Sequence, residues 1–151
     1  MKRVFVGLVA IAIIMVGTTC IWASQEDDAK ALAEKAAAFV KANEKEKCIA
    51  EIGNPKGQFV KGDLYVVIQN TKGVNLANPM APGLAGQNHY ELKDPNGKYF
   101  IKEMIEVATK KGSGWVTYVW TNPATKKVQA KKSYVKMVDG TDAYVLCGIF
   151  Q

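Results

Sequence analysis

The stretch GSGWVTYVWTNPATKKVQAKKSYV, Gly112–Val135, sets out two strands joined by a turn that contains Pro123. It puts Trp115, Tyr118 and Trp120 on the first strand and Lys131, Ser133 and Tyr134 on the second. Side chains alternate faces along a strand, so Tyr118 and Trp120 share one face, as do Lys131 and Ser133. Tyr134 then points opposite to Lys131, and only a bulge would bring both to one side. Rings that exclude water beside an ammonium are what a pocket for a small organic anion requires. Taken alone, the same residues fit slightly better an aromatic hairpin core with a solvated lysine.

Working outward, Ala143–Phe150 reads as a third strand joined across Asp139-Gly140. Upstream, Phe100, Ile101, Met104, Ile105 and Ala108 face one way on a helix that Gly112 and Gly114 stop. Asp94-Pro95-Asn96-Gly97 is turn chemistry before it. Leu64–Ile68 and Val74–Ala77 read as two short strands around Asn70-Thr71-Lys72-Gly73. Asn78–Asn88, broken by Pro79, Pro82, Gly83 and Gly86, is expected to form a loop over the sheet. Nearer the N-terminus, Leu32, Ala36, Phe39, Val40 and Asn43 recur at helical spacing. They predict one amphipathic helix, Ala29–Lys47, with Ser24 as N-cap and acidic residues from Glu26 in its first turn. Helix, two strands, helix, three strands is an α+β order, and no internal repeat interrupts it.

These segments resemble the single Cache domain family, type 2. Its signature runs roughly G-G-W-V-x-Y-x-W-x-N-P-x-T-x-K-V-x-P-K-x-S-Y-V and closes on a strand ending G-x-G-[IV]-[YF]. The matching residues are Trp115, Val116, Tyr118, Trp120, Asn122, Pro123, Thr125, Lys127, Val128, Lys131, Ser133, Tyr134 and Val135, then Cys147 to Phe150. Asn54–Pro79 and Leu92–Trp115 are similar too, so the resemblance covers about residues 30–150. Ala130 stands where the family usually has proline, Asn78 where histidine is common, and Cys147 where a small residue is common. The resemblance implies an extracytoplasmic sensor module with a PAS-like five-stranded antiparallel sheet and a long N-terminal helix on one face. On the other face it implies a pocket bordered by Trp115, Tyr118, Trp120, Lys131 and Tyr134, in which Lys131 pairs a carboxylate. Relatives are usually joined through a transmembrane helix to a kinase, cyclase or chemotaxis domain. For a chain read as ending at Gln151, that implies a membrane-bound signalling partner.

Residues 1–23 read as a signal peptide: Lys2 and Arg3, an uncharged apolar run Val4–Gly17, then a polar stretch ending at Ala23. A retained anchor is the alternative, because the apolar span approaches the ~20 residues that cross a bilayer. A lipid attachment at Cys20 is weaker, since Gly17-Thr18-Thr19 is a poor lipobox. Cleavage leaves 24–151 as a single domain in the periplasm or outside the cell. Lys2 and Arg3 account for two of the formal +6, and the remaining lysines are scattered among acidic residues. That pattern argues for solubility and mild attraction of anions, and against nucleic-acid binding.

Catalysis and metal binding find little footing. His89 is the sole histidine, there is no C-x-x-C, and Ser133 has neither a histidine partner nor a nucleophile elbow. The expectation is therefore no enzyme, no metal and no cofactor. Cys48 and Cys147 either pair or remain two separate buried thiols. A ligand of about six heavy atoms gains at most ~9 kcal/mol, so a realistic site is micromolar or weaker. Two functions stay open: a sensor of small carboxylates, or a structural protein that reuses the fold without ligand.

Overall fold

The computed structural model describes residues 19–151, with side chains from Ser24 onward. Residues 1–18, the bulk of the segment read as a leader, lie outside the described residues. Among the described residues no helix is long and apolar enough to cross a membrane.

Helix α1 spans Thr19–Ala42 and α2 spans Lys45–Gly53. This corrects two expectations. Ser24 lies within α1 instead of capping it, because no glycine or proline in Thr19–Ala23 halts the helix. The helix expected to reach Lys47 breaks at Asn43, whose side-chain amide donates to Phe39 O at 2.9 Å. Glu44 is extended (φ −66°, ψ 149°), and the chain restarts as α2. The buried stripe of α1 is mostly small, with Ala29, Ala33, Ala36 and Ala37 beside Leu32 and Val40. Small side chains let the helix lie close against the sheet, which is how a short apolar stripe buries itself.

The sheet is antiparallel throughout, with strands β1 Val60–Lys61, β2 Leu64–Asn70, β3 Asn75–Ala77, β4 Ser113–Thr121, β5 Val128–Met137 and β6 Ala143–Phe150. Its order is β1-β2-β6-β5-β4, with β3 also paired to β2. Five of these strands answer to the expected five. The sixth, β1, is a two-residue edge strand turned back at Gly62-Asp63, too short to carry an alternation pattern. β2 and β6 are buried almost end to end, as strands covered on both faces must be.

One face carries α1 and α2, packed on Val66, Ile68, Val145, Cys147 and Ile149. The other carries α3, Phe100–Glu106, packed on Tyr65, Val67, Val116, Tyr144 and Leu146. A wide π turn, Val107–Lys111, follows α3 and ends at Gly112, where φ +75° stops it as the sequence predicts. Asp94 clamps α3's approach. Its carboxylate accepts N–H groups from Asn96, Lys98 and Val119, each at 2.9–3.0 Å, which ties the turn to β4 and lowers its pKa. Residues 78–88 arch over the α3 face with one 3₁₀ turn, Pro82–Leu84. Cys48 and Cys147 are separate buried thiols.

Candidate ligand-binding site

Strand register decides which side chains meet. Tyr118 pairs Lys131, Ser133 pairs Gly148, and Val66 pairs Cys147, which sets Tyr65 level with Gly148. Val116, Ser133, Gly148 and Tyr65 thus form a row across four neighbouring strands on the α3 face, and Tyr118, Lys131 and Phe150 form the next, so Lys131 reaches Tyr65 on the diagonal past Gly148. Gly148 has no side chain, and Lys131 runs through the lane this leaves. A Cβ at Gly148 would stand 2.7 Å from Lys131 Cε and closer still to Ser133 Oγ. Lys131 Nζ ends on Tyr65 Oη, donating at 2.8 Å, with the Tyr65 and Phe150 rings 4.3 and 4.6 Å away.

This ammonium is 3 % exposed. Burying a cation costs several kcal/mol unless an anion compensates, and a phenol plus two ring faces compensate only in part. Among the described residues no carboxylate lies within ion-pairing distance of it.

A cavity of ≈ 40 Å³ opens beside Lys131. At ~10–15 Å³ per water it holds about three or four waters, or an organic molecule of about four to six bonded heavy atoms. Tyr118 and Trp120 form the β4 wall, and Phe100 and Met104 of α3 close it from above. Phe100 stacks on Tyr118 at 4.6 Å between ring centroids. Tyr118 Oη meets Ser133 Oγ at 3.1 Å, so its polar end is satisfied. The arching loop adds Asn78 and Leu84, His89 follows just after it, and the short strand β3 adds Asn75. One lysine and one histidine line the cavity, and no aspartate or glutamate does.

Tyr118, Trp120 and Lys131 therefore share the cavity. Trp115 and Tyr134 do not. They lie on the α1 face, 5.3 Å apart in an edge-to-face pair, with Tyr134 Oη donating to Glu34 at 3.3 Å. The expectation that all five border one pocket is corrected by strand parity: β4 and β5 are regular here, with no bulge between Trp115 and Lys131. Tyr65, Asn75 and Phe100 escaped the sequence reading as site residues, and Asn78 entered it only as a departure from the family pattern. The stacked Phe100 sat in an apolar helix pattern, while Tyr65 is brought in only by pairing across the sheet.

Burial sets the charge state. Desolvation lowers the Lys131 ammonium from 10.5 to about 8. Burial pushes Tyr65 up to about 12, raises Tyr118 as well, and pushes His89 down. Lys131 is thus the one lining group that titrates between pH 7 and 9. The folded pKa lies below the unfolded one, so the unfolded chain binds more protons between about 8 and 10.5 and stability rises with pH there. The buried thiol of Cys147 is raised to about 12, so it works the other way only above the usual thiol range near 9. Thermal melts should show the ligand-free chain gaining stability from pH 7 to 9, with that gain absent in Lys131→Met. Equal slopes in the two chains would remove Lys131 as the origin.

The fold and this cavity define a class: a PAS-like α+β domain that encloses a small, cationic, aromatic-walled site. Residues 23–151 match the family Single Cache domain 2, and the chain belongs to it. Two curated relatives agree. The chain is 32% identical over 88 residues to the sensor histidine kinase MctS of Rhizobium johnstonii, covering 58% of this chain and 19% of that protein. It is 29% identical over 75 residues to the methyl-accepting chemotaxis protein McpP of Pseudomonas putida, covering 50% and 14% respectively. The chain thus spans less than a fifth of either relative. Among solved structures, a Cache chemosensory domain described for carboxylic acid recognition superimposes with TM-score 0.73 at 22% identity, over 89% of this chain and 99% of that one. A methyl-accepting chemotaxis protein from Vibrio parahaemolyticus gives 0.71 at 22% identity, over 86% and 90%. At that identity the likeness is one of fold.

Proposed function

We propose that this Cache domain is an extracytoplasmic sensor module that binds a short monocarboxylate at Lys131 and passes the signal to a membrane-bound partner. One observation carries the reading: a buried ammonium faces a cavity whose lining holds no anion. A carboxylate there would exchange an uncompensated charge for a charge-assisted hydrogen bond. Tyr118 and Trp120 would wall off water and limit the length of the acyl chain. The site offers no nucleophile–base pair, so the reading is one of binding and release without chemistry. The solved Cache domain described for carboxylic acid recognition supports the ligand class, and the sensor kinase and chemoreceptor relatives support the partner.

Calorimetry with acetate, propionate, lactate and pyruvate tests it directly. At least one should bind at micromolar to low millimolar concentration and raise the melting temperature. If none binds at millimolar concentration, the ligand-free structural role takes its place.

The location has its own check. The Lys2–Ala23 pattern leads us to expect export and a mature chain that starts near Ser24. Intact mass of the exported protein reads this: Met1 retained would remove the cleavage and leave the anchored form.

A further inference from the structure

Most hydrogen-bond acceptors around the cavity are already engaged. Gln69 Oε1 accepts from Tyr144 Oη at 2.6 Å, and Asn78 Oδ1 accepts from the Met80 and Ala81 N–H groups at 3.0 and 3.2 Å. Tyr118 and Ser133 satisfy each other, and Tyr65 accepts from Lys131. Asn75 is the exception. It is 1 % exposed, it lines the cavity, and its Oδ1 has no hydrogen-bond partner.

The backbone that carries this atom is held on both sides. The Asn75 N–H donates to Gln87 O at 2.9 Å, and its carbonyl accepts from Gly86 N at 2.7 Å. Strand β3 pairs Asn75 with Gln69 of β2 at a register shift. Sheet on one side and arching loop on the other fix the backbone, and the side chain is buried between them. A buried acceptor in such a position selects for whatever brings it a donor.

We infer that the ligand is a short monocarboxylate carrying a hydroxyl, with Lys131 taking the carboxylate and Asn75 Oδ1 accepting from the hydroxyl. This rests on the monocarboxylate reading above and narrows it. A ligand of four to six heavy atoms spans the cavity, so a carboxylate at Lys131 leaves the next carbons facing the remaining walls, Asn75 among them. An ammonium could also donate to Asn75. It would then leave two ammonium groups against one carboxylate in a small buried cavity, so amino acids are disfavoured. A keto oxygen offers no donor at all. A methyl or methylene against Oδ1 leaves it unpaired, and a site built for a hydroxyl rejects the analogue that lacks it.

Calorimetry on the purified chain with matched pairs reads this: lactate against propionate, glycolate against acetate, then pyruvate and alanine. Lactate and glycolate should bind roughly tenfold or more tightly than their unsubstituted partners, the cost of one unmet buried acceptor. Alanine should be weaker than lactate. In Asn75→Leu the lactate-to-propionate ratio should fall to about one, and the wild-type comparison decides the matter even where that variant does not fold. Propionate binding as tightly as lactate overturns this inference and leaves the monocarboxylate reading standing. Pyruvate binding more tightly than lactate overturns it too, because Asn75 would then be donating its N–H. A ratio unchanged in Asn75→Leu removes Asn75 from the recognition. Silence from every acid at millimolar concentration overturns both readings.

Discussion

Lys131→Ala is expected to lower monocarboxylate affinity ten- to hundredfold, the equivalent of about 1.5–3 kcal/mol for a lost charge-assisted hydrogen bond. Lys131→Arg should weaken binding as well, because a planar fork replaces a point charge in a lane shaped by Gly148, Tyr65 and Phe150. Lys131→Met separates binding from folding. It keeps much of the volume and removes a buried cation that lacks an anion, so at neutral pH the ligand-free variant should melt no lower than wild type. A chain that is at least as stable and yet blind to carboxylates would be hard to explain by misfolding. Tyr134→Phe is the control on the other face of the same strand. It loses the 3.3 Å bond to Glu34 and should leave ligand affinity alone. If Lys131→Ala binds acetate or lactate as well as wild type does, the ammonium is not the anchor.

Much of this was legible in the sequence because it followed from period. The alternation in Gly112–Val135 separates Tyr118 and Trp120 from Trp115, and Lys131 from Tyr134, and the structure keeps that separation. The resemblance drew all five into one pocket; the period of two, followed strictly, would have excluded two of them. Less was legible where a contact spans a long stretch of chain. Tyr65 and Lys131 are 66 positions apart and meet only because β6 lies between their strands with a glycine at the crossing. Asn75 gave no signal at all. It belongs to a three-residue strand, and its burial comes from loop hydrogen bonds at Gly86 and Gln87. The break at Asn43 hid inside a helical pattern because its cause is a side chain turned back on Phe39 O, which periodicity does not see.

Gly148 is where fold and site depend on the same missing atom. It lies in the middle of the sheet, where a glycine ordinarily weakens a strand, and its φ is not one that demands glycine. Its role is the lane. An added methyl would meet Lys131 Cε at 2.7 Å and the Lys132 carbonyl at 3.0 Å, and would overlap Ser133 Oγ. Ser133 Oγ, the nearest atom, must turn away from Tyr118 Oη, and the flexible lysine gives way with it. Displaced, Nζ leaves Tyr65 Oη, and the cation faces either apolar walls or the cavity itself. Gly148→Ala should therefore cost about 1–3 kcal/mol from overpacking, seen as a lower melting temperature. It should also abolish carboxylate binding at concentrations that saturate wild type. The double variant Gly148→Ala with Lys131→Met distinguishes the two costs. If the clash with Lys131 dominates, the shorter reach and flexible thioether of a methionine side chain should restore part of the stability, while binding stays lost. Unaltered binding in Gly148→Ala would mean that Lys131 reaches its ligand by a different path, and the diagonal lane from Lys131 past Gly148 to Tyr65 would lose its functional meaning.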